Sequence, residues 1–326
     1  MPKPKVYSTH PLFEEARAIL DTSSDVVYWT GPERPPREEV LRHLKDKEGL
    51  LCLLTERISE DFLRAASKLR IVANIAVGYD NIDVDACTKR NVVVTNTPGV
   101  LDETTADFAW ALLMAVARRL GEGELLARSG HWKGWNLDQL CGADVWGKTL
   151  GIVGFGRIGR AVARRASGFQ MKVIYTDAVR ASEDVEESVN AEFRGMNALL
   201  AESDFITLHV PLLPETRGLF DSPKFYRMKP TAFLIKTSRG PVVEEAALVA
   251  ALEAKKIAGA ALDVYENEPF IHPGLKRANV VLAPHLASAS LETRTKMAVM
   301  AVNGVVALFK GQRPPNVLNP DVFKKH

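Results

Sequence analysis

The fold is decided by one stretch of the chain, Leu150-Gly151-Ile152-Val153-Gly154-Phe155-Gly156-Arg157-Ile158-Gly159. An apolar strand pattern ends at Val153, and the glycines that follow have the spacing G-x-G-x-x-G at the start of a helical pattern. A strand, a glycine-rich turn and a helix in this order are typical of a dinucleotide-binding unit. In such a unit Gly154 allows the tight turn, Gly156 lets the backbone approach a pyrophosphate, and Gly159 allows close packing of helix on strand. The pyrophosphate is expected at the positive end of the helix.

A carboxylate follows at the end of the next predicted strand. Asp177 lies 18 residues after Gly159, where an acidic side chain can accept hydrogen bonds from the adenosine ribose hydroxyls. Its negative charge repels the 2′-phosphate of NADP, so the sequence favours NAD. Arg180 is close enough along the chain to weaken that preference, and NADP therefore stays as the alternative cofactor.

The patterns on both sides of the motif alternate between short strands and helices, which predicts parallel sheets covered on both faces. In the first part of the chain we predict strands at Val6-Tyr7, Val26-Trp29, Leu50-Leu54, Ile71-Ala76 and Val92-Thr95. In the second part we predict strands at Leu150-Val153, Lys172-Tyr175, Phe205-Leu208, Ala232-Ile235, Gly259-Leu262 and Val280-Leu282. The expected fold class is α/β, with two Rossmann-like or flavodoxin-like doubly wound parallel-sheet domains and a cleft between them.

Two segments set the expected domain boundaries. A long helix starting near Asp102 and continuing to Leu120 looks like a crossing between domains, and a final helix of about Glu292 to Phe309 is inferred to return to the first one. We therefore expect residues 100–287 to form the NAD(P)-binding Rossmann domain. Residues 1–99 and 288–326 are expected to form the substrate-binding, catalytic domain.

The composition excludes several classes of partner. The chain has 326 residues, 46% of them hydrophobic, and 42 basic against 40 acidic residues leave a net charge of +2, which predicts no nucleic-acid footprint. The three cysteines are far apart and form no metal-binding or disulfide pattern. The longest apolar helical stretch, Phe108 to Ala117, is too short for a bilayer, and the first residues do not resemble a signal peptide. We expect a cytoplasmic protein with a small-molecule substrate, no metal and no membrane contact.

Three polar side chains follow successive strands of the second predicted sheet. They are Arg239 after the fourth of its strands, Glu268 after the fifth and His285 after the sixth. Ligands of an open parallel sheet bind beyond the carboxyl ends of the strands, so these side chains should converge. Reduction of a 2-oxo acid needs a cation for the carboxylate and carbonyl oxygen and an acid to protonate that oxygen. Arg239 and His285 have this chemistry, and Glu268 could orient the imidazole.

The chain resembles the D-isomer-specific 2-hydroxyacid dehydrogenases, and within them the glyoxylate/hydroxypyruvate reductases, over nearly its whole length. The resemblance rests on the glycine motif and on Val77-Gly78-Tyr79-Asp80-Asn81-Ile82-Asp83, Thr95-Asn96-Thr97-Pro98-Gly99, Glu103-Thr104-Thr105-Ala106-Asp107, His209-Val210-Pro211-Leu212, Thr237-Ser238-Arg239-Gly240, Leu262-Asp263-Val264-Tyr265-Glu266-Asn267-Glu268-Pro269 and Pro284-His285-Leu286-Ala287-Ser288. One departure is Lys236, which stands where relatives often carry Asn.

The resemblance implies roles for many positions. Arg239, Glu268 and His285 match the catalytic set, the main-chain amides of Val77 and Gly78 hold the substrate carboxylate, and Arg239 also binds substrate. Leu53 and the adjacent leucine match positions that line the pocket of a small substrate, although packing in the core explains these two leucines equally well. Asp263 is expected near the nicotinamide amide, and His209 is explained equally well as a cofactor contact or as a structural residue. The full set of expected cofactor-binding positions is Thr105, Gly154, Gly156, Arg157, Ile158, Gly159, Asp177, His209, Val210, Pro211, Thr216, Thr237, Ser238, Asp263 and Ser288.

The expected activity is reduction of glyoxylate or hydroxypyruvate to a D-2-hydroxy acid by hydride transfer from NADH or, as the alternative, NADPH. Other D-2-hydroxyacid chemistry, on 2-ketogluconate, D-lactate or D-3-phosphoglycerate, stays open, as does a nucleotide-sensing scaffold like the corepressors that share this fold. Relatives form homodimers through the long helix and the loop after it. The resemblance therefore implies a homodimer in which Trp132 and Trp135 pack at the interface or reach the neighbouring active site, with burial in one subunit as the alternative.

Overall fold

The computed structural model describes residues 2–324 and contains two compact units. The first consists of the described residues up to Leu101 and from Ser290 onward, and the second is Asp102–Ala289. The strands are β1 Lys5–Ser8, β2 Asp25–Tyr28, β3 Gly49–Cys52, β4 Ile71–Asn74, β5 Val93–Thr95, β6 Thr149–Val153, β7 Lys172–Thr176, β8 Ala191–Phe193, β9 Phe205–Leu208, β10 Phe233–Lys236, β11 Gly259–Leu262 and β12 Val280–Leu282.

The α-helices connect these strands. They are α1 Glu14–Ser23, α2 Arg37–Leu44, α3 Glu60–Ala65, α4 Val84–Lys89, α5 Asp102–Ala117, α6 Leu120–Arg128, α7 Arg157–Ala166, α8 Glu183–Val189, α9 Met196–Glu202, α10 Ser222–Phe225, α11 Glu245–Glu253 and α12 Leu291–Phe309. Short 3₁₀ helices lie at Ser167–Phe169, Gly240–Val242, Pro273–Leu275 and Pro320–Phe323. Within residues 2–324 we find no helix with the length and hydropathy needed to cross a membrane.

The first unit is a five-stranded parallel sheet with the order β2-β1-β3-β4-β5. Strands β3 and β4 are buried along their whole length, as expected for a sheet covered on both faces. Helix α12 supplies Ala298, Ala301, Val302 and Val305 to the core on one face, where they pack with residues of β1, β3 and β4. The strand predicted at Leu50-Leu54 ends at Cys52, so the two leucines after it lie in the following turn.

The second unit is a seven-stranded parallel sheet with the order β12-β11-β10-β9-β6-β7-β8. The strand order reverses between β6 and β9, the point at which doubly wound sheets bind ligands. The two parallel sheets confirm the predicted fold class. The sequence prediction missed β8, a three-residue strand at the edge of the sheet.

The long helix predicted to continue to Leu120 is two helices. Helix α5 ends at Ala117, and Arg119 adopts a left-handed conformation with φ of 51° before α6 begins. Within the second unit α5 is buried on most of its surface: Trp110 stacks on Phe169 with ring centroids 4.7 Å apart and donates from Nε1 to the Val162 carbonyl. This packing holds α5 against α7, the helix that begins at the glycine motif.

Candidate active site

The glycine-rich turn has the geometry expected of a phosphate-binding loop. Gly154 has φ of +92°, and a Cβ there would lie 2.7 Å from the His209 carbonyl carbon, so only glycine fits without strain. A Cβ on Gly159 would lie 2.2 Å from the Gly154 oxygen. A Cβ on Gly156, by contrast, would meet no described atom within 4 Å. The open space at Gly156 is at the N-terminus of α7, which has no side-chain cap and suits a bound pyrophosphate.

Asp177 is hydrogen-bonded to this turn. Its carboxylate oxygens accept hydrogen bonds from the backbone N–H groups of Phe155 at 2.5 Å and Ala178 at 2.7 Å. Arg180, three residues further on, donates through Nε and Nη2 to the two carboxylate oxygens of Glu186 at 2.9 and 2.8 Å. The Tyr175 hydroxyl donates to the same carboxylate, and the bonds from Arg180 and Tyr175 lower the pKa of Glu186 to about 2. Arg180 is thus already paired with an ionised carboxylate.

The predicted catalytic side chains follow three neighbouring strands, β10, β11 and β12. His285 Nδ1 lies 2.9 Å from Glu268 Oε2, and the other oxygen of Glu268 accepts from the Tyr265 backbone N–H at 3.1 Å. Burial raises the pKa of Glu268, but its bond to His285 and the charges of His285 and Arg239 outweigh burial, so the net pKa is lowered. The structure therefore brings the carboxylate and the imidazole into contact and places the Arg239 guanidinium within electrostatic range of them.

The loop that carries His285 is held by a fully buried carboxylate. Asp263 accepts from the backbone N–H groups of Leu286 at 2.6 Å and Ala287 at 2.8 Å, and its own carbonyl accepts from the His285 N–H at 2.9 Å. His285 itself has φ of +58°, a conformation that a non-glycine residue adopts only where the surroundings enforce it. Asp263 thus holds the backbone of the His285 loop, a role that the sequence analysis did not find.

Two further residues that the sequence analysis missed lie in the first unit. The Asn96 side chain donates to the Val77 carbonyl at 2.8 Å, and the Asn74 side chain donates to the Gly78 carbonyl at 2.9 Å. Within residues 2–324, the backbone N–H groups of Val77 and Gly78 have no acceptor. With their carbonyls held by amides and their N–H groups unpaired, Val77 and Gly78 can offer two donors to an anion.

Leu53 lies in the turn after β3 and is half-buried. Its backbone N–H donates to Glu56 at 2.6 Å, and its carbonyl accepts from the Asn81 side chain at 3.2 Å. The adjacent Leu54 is 36% exposed, so packing in the core does not explain that side chain.

The hydroxyl groups beside Arg239 point to a bound ligand. The side-chain oxygens of Thr237 and Ser238 are buried and have no hydrogen-bond partner among the described residues. A buried hydroxyl without a partner costs stability, so a ligand that pairs with it would recover that cost. Together with the open space at Gly156, these oxygens fit a nucleotide cofactor.

The other predicted cofactor positions lie on several helices and loops of the second unit. Burial lowers the pKa of His209 to about 3, and its Nε2 shares a 2.8 Å hydrogen bond with the Thr207 hydroxyl, so the ring is neutral at physiological pH. Thr216 Oγ1 donates to the Pro211 carbonyl at 2.6 Å and shapes the loop after β9. Thr105 is buried in the first turn of α5, Arg157 and Ile158 form the first turn of α7, Val210 follows β9, and Ser288 is half-buried after the His285 loop.

Comparison with known proteins shows the family. The model of the D-isomer specific 2-hydroxyacid dehydrogenase, NAD binding domain, matches residues 110–287. A glyoxylate reductase from Korarchaeum cryptofilum is 49% identical over 325 residues, 99% of this chain and 98% of that protein. The chain therefore belongs to the D-isomer-specific 2-hydroxyacid dehydrogenases, which confirms the resemblance found in its sequence.

Several solved structures share its fold. The TT0316 protein from Thermus thermophilus has a TM-score of 0.91 and 39% identity, covering 96% of this chain and 99% of that one. An NADPH-dependent glyoxylate/hydroxypyruvate reductase from Sinorhizobium meliloti, in complex with NADP and malonate, has a TM-score of 0.87 and 31% identity, covering 99% of each chain. As the family assignment implies, this chain is an NAD(P)-dependent oxidoreductase.

Proposed function

We propose that the protein reduces glyoxylate and hydroxypyruvate to the corresponding D-2-hydroxy acids. The observation that carries the proposal is the Glu268–His285 hydrogen bond beside Arg239 at the carboxyl ends of three neighbouring strands. The glyoxylate reductase from Korarchaeum cryptofilum, nearly half identical over its full length, supports the choice of substrate. The second unit is proposed to bind the nucleotide and the first to bind the substrate.

Each catalytic side chain has a proposed role. Arg239 pairs with the substrate carboxylate and polarises the C2 carbonyl, a charge-assisted interaction that strengthens as the oxygen becomes negative. His285 donates a proton to that oxygen from Nε2, because Nδ1 is occupied by Glu268. The Glu268 carboxylate orients the ring and stabilises its protonated form. The amides of Val77 and Gly78 are proposed to bind the substrate carboxylate, with Leu53 beside it.

The nucleotide would be held by the glycine motif, Asp177 and the remaining cofactor positions named above. When bound, the reduced nicotinamide supplies the hydride. Asp263 and His209 also shape the loops beside the cofactor, since each carboxylate oxygen of Asp263 accepts from a backbone N–H and His209 bonds to Thr207.

The experiment that tests the function is a panel of kcat/KM values. Glyoxylate, hydroxypyruvate, pyruvate and 2-ketogluconate are each assayed with NADH and NADPH. We expect the two first substrates to give the highest values. A preference for another acid would move the protein to a different D-2-hydroxyacid activity, and tight NADH binding without turnover of any acid would support the nucleotide-sensing alternative.

NADH is the proposed preferred cofactor. Asp177 is held at the turn where the ribose is expected, and Arg180 is occupied by Glu186. We expect Asp177→Ala to raise the kcat/KM ratio of NADPH to NADH about tenfold, because it removes one repulsion of the 2′-phosphate. An unchanged ratio would show that this carboxylate does not face the ribose.

Glu186 offers a second test of the cofactor preference. We expect Glu186→Gln to release Arg180 from its ion pair and raise relative use of NADPH several-fold, since a free guanidinium can bind the 2′-phosphate. Glu187→Gln changes an exposed carboxylate on the same helix and should leave the ratio unchanged. If both variants behave alike, the Arg180–Glu186 pair has no part in cofactor choice.

The protein is also proposed to form a homodimer. Large apolar side chains are exposed along α6 and the loop after it: Leu120, Leu125, Trp132, Trp135, Leu137 and Trp146. Trp135 is 82% exposed and Leu137 79%. An apolar surface of this density is typical of a subunit interface.

The cytoplasmic location of the protein stays a prediction from its sequence.

The oligomeric state can be measured by light scattering after gel filtration. We expect the wild type to be a dimer and the double variant Trp135→Glu/Leu137→Glu to be a monomer, because two buried charges would replace apolar contacts. Tyr226→Glu, at another exposed aromatic of the second unit, should remain dimeric. A monomeric wild type would contradict the proposal.

A further inference from the structure

Lys236 is a fully buried lysine directly before the catalytic turn. It is the last residue of β10, and Thr237, Ser238 and Arg239 follow it. Lysine is almost never fully buried unless it is paired. Its Nζ donates to the Gly240 carbonyl at 3.1 Å and lies 3.9 Å from Oε1 of Glu245, the equally buried first residue of α11. Lys236 therefore binds the backbone of the turn that carries Arg239.

Glu245 binds the other catalytic loop. Its Oε1 accepts from the Glu266 backbone N–H at 2.8 Å, two residues before Glu268. The two loops also touch directly, since a Cβ added to Gly240 would lie only 1.7 Å from the Tyr265 carbonyl oxygen. The buried pair of Lys236 and Glu245 therefore connects the turn bearing Arg239 with the loop bearing Glu268.

We propose that Lys236 and Glu245 are positioning residues that set the distance between Arg239 and the Glu268–His285 pair during reduction. The inference rests on the proposed function. Neither side chain would touch the substrate, because both are buried and bonded to the backbone of the two loops. Their contribution would be orientation, and a displacement of about 1 Å in an active site can cost about 100-fold in rate.

The electrostatics agree with this arrangement. Burial lowers the pKa of Lys236 to about 8. The negative charges of Glu245 on α11 and of Glu266 and Glu268 on the loop after β11 raise this pKa, but their effect is smaller than that of burial. Lys236 is therefore positively charged at neutral pH and loses this charge as the pH rises above about 8. Because the folded pKa lies below the ordinary 10.5, the charged form reduces stability at neutral pH, and that loss is recovered as the pH rises through this window. The charge of Lys236 therefore does not stabilise the fold at neutral pH, as is common for buried ion pairs.

The test is the double variant Lys236→Met/Glu245→Gln, which removes both charges while glutamine still accepts from the Glu266 N–H. We expect a Tm no lower than that of the wild type, about a tenfold loss of kcat and an unchanged KM for NADH. The kcat ratio of wild type to double variant should shrink above pH 8, where the wild type loses its ammonium charge. The single variant Lys236→Met leaves Glu245 unpaired and should lower Tm. Lys229→Met breaks a half-buried ion pair with Asp204 and should not change kcat.

Hydrogen exchange gives a readout independent of activity. We expect faster amide exchange in residues 238–242 and 265–268 of the double variant. If the wild type is inactive on every 2-oxo acid, the proposed function is wrong. Hydrogen exchange would still test whether Lys236 and Glu245 hold the two loops in place. A double variant with kcat within twofold of wild type, or with unchanged exchange in both segments, would overturn the inference.

Discussion

Replacing His285 by Gln should lower kcat for glyoxylate about 1000-fold while the Kd for NADH stays near that of the wild type. Glutamine can still hydrogen-bond the substrate oxygen and Glu268, but it has no proton of suitable acidity to transfer, and general acid catalysis contributes about 100- to 10,000-fold. The nucleotide is expected at the glycine motif and Asp177, which the substitution does not touch. The rate of glyoxylate reduction is measured by stopped flow with excess NADH. The Kd for NADH is measured separately, by titrating the protein with nucleotide and following the fluorescence.

The control for this experiment is His272→Gln, a histidine in the same unit that accepts from the Gly274 N–H, outside the proposed catalytic set. We expect kcat close to wild type there. A His285→Gln enzyme with kcat within a few-fold of wild type would mean that another group or water supplies the proton. The Glu268–His285 contact would then be structural.

The second large effect is expected from Arg239→Met. Removing the guanidinium should lower kcat/KM for glyoxylate roughly 1000-fold, because a desolvated charge-assisted contact with carboxylate and carbonyl is lost. The loss should appear both in KM, because the substrate carboxylate loses its partner, and in kcat, because the oxygen that becomes negative is no longer stabilised, while NADH binding should change little. Arg239→Lys should recover only part of it, since an ammonium group cannot bind two oxygens in the fixed fork of a guanidinium.

Two comparisons complete the Arg239 experiment. Arg227→Met removes an exposed arginine of the same unit and should leave kcat/KM unchanged. Arg239→Met should also raise the pKa of Glu268, because the Arg239 charge helps to lower it. If Arg239→Met keeps near-normal KM for glyoxylate, the substrate carboxylate is bound by other groups.

The sequence predicts the sheets well because buried parallel strands are continuous apolar runs. It misses β8 because Ala191, Glu192 and Phe193 make an edge strand too short to show a period. The break at Arg119 carries no glycine or proline, so its left-handed conformation has no local signal. Element boundaries depend on contacts that a linear pattern does not contain.

In the candidate site, too, local patterns are predicted from the sequence and contacts between distant residues are not. Arg239, Glu268 and His285 are found from their positions after successive strands and from their resemblance to the family. The supporting contacts are not, because they join residues far apart in sequence: Asp263 binds the amide of Ala287, 24 residues on. Lys236 is visible in the sequence only as a departure from relatives. The acceptors that explain it, on Gly240 and Glu245, appear only in the structure.

The most direct test of the account follows the hydride itself. NADH carrying deuterium at both C4 positions of the nicotinamide is incubated with the protein and hydroxypyruvate, and the glycerate formed is separated on a chiral column and analysed by mass spectrometry. We expect D-glycerate with one deuterium at C2, formed at the rate of NADH oxidation. Unlabelled product, L-glycerate, or NADH that binds without being consumed would contradict it.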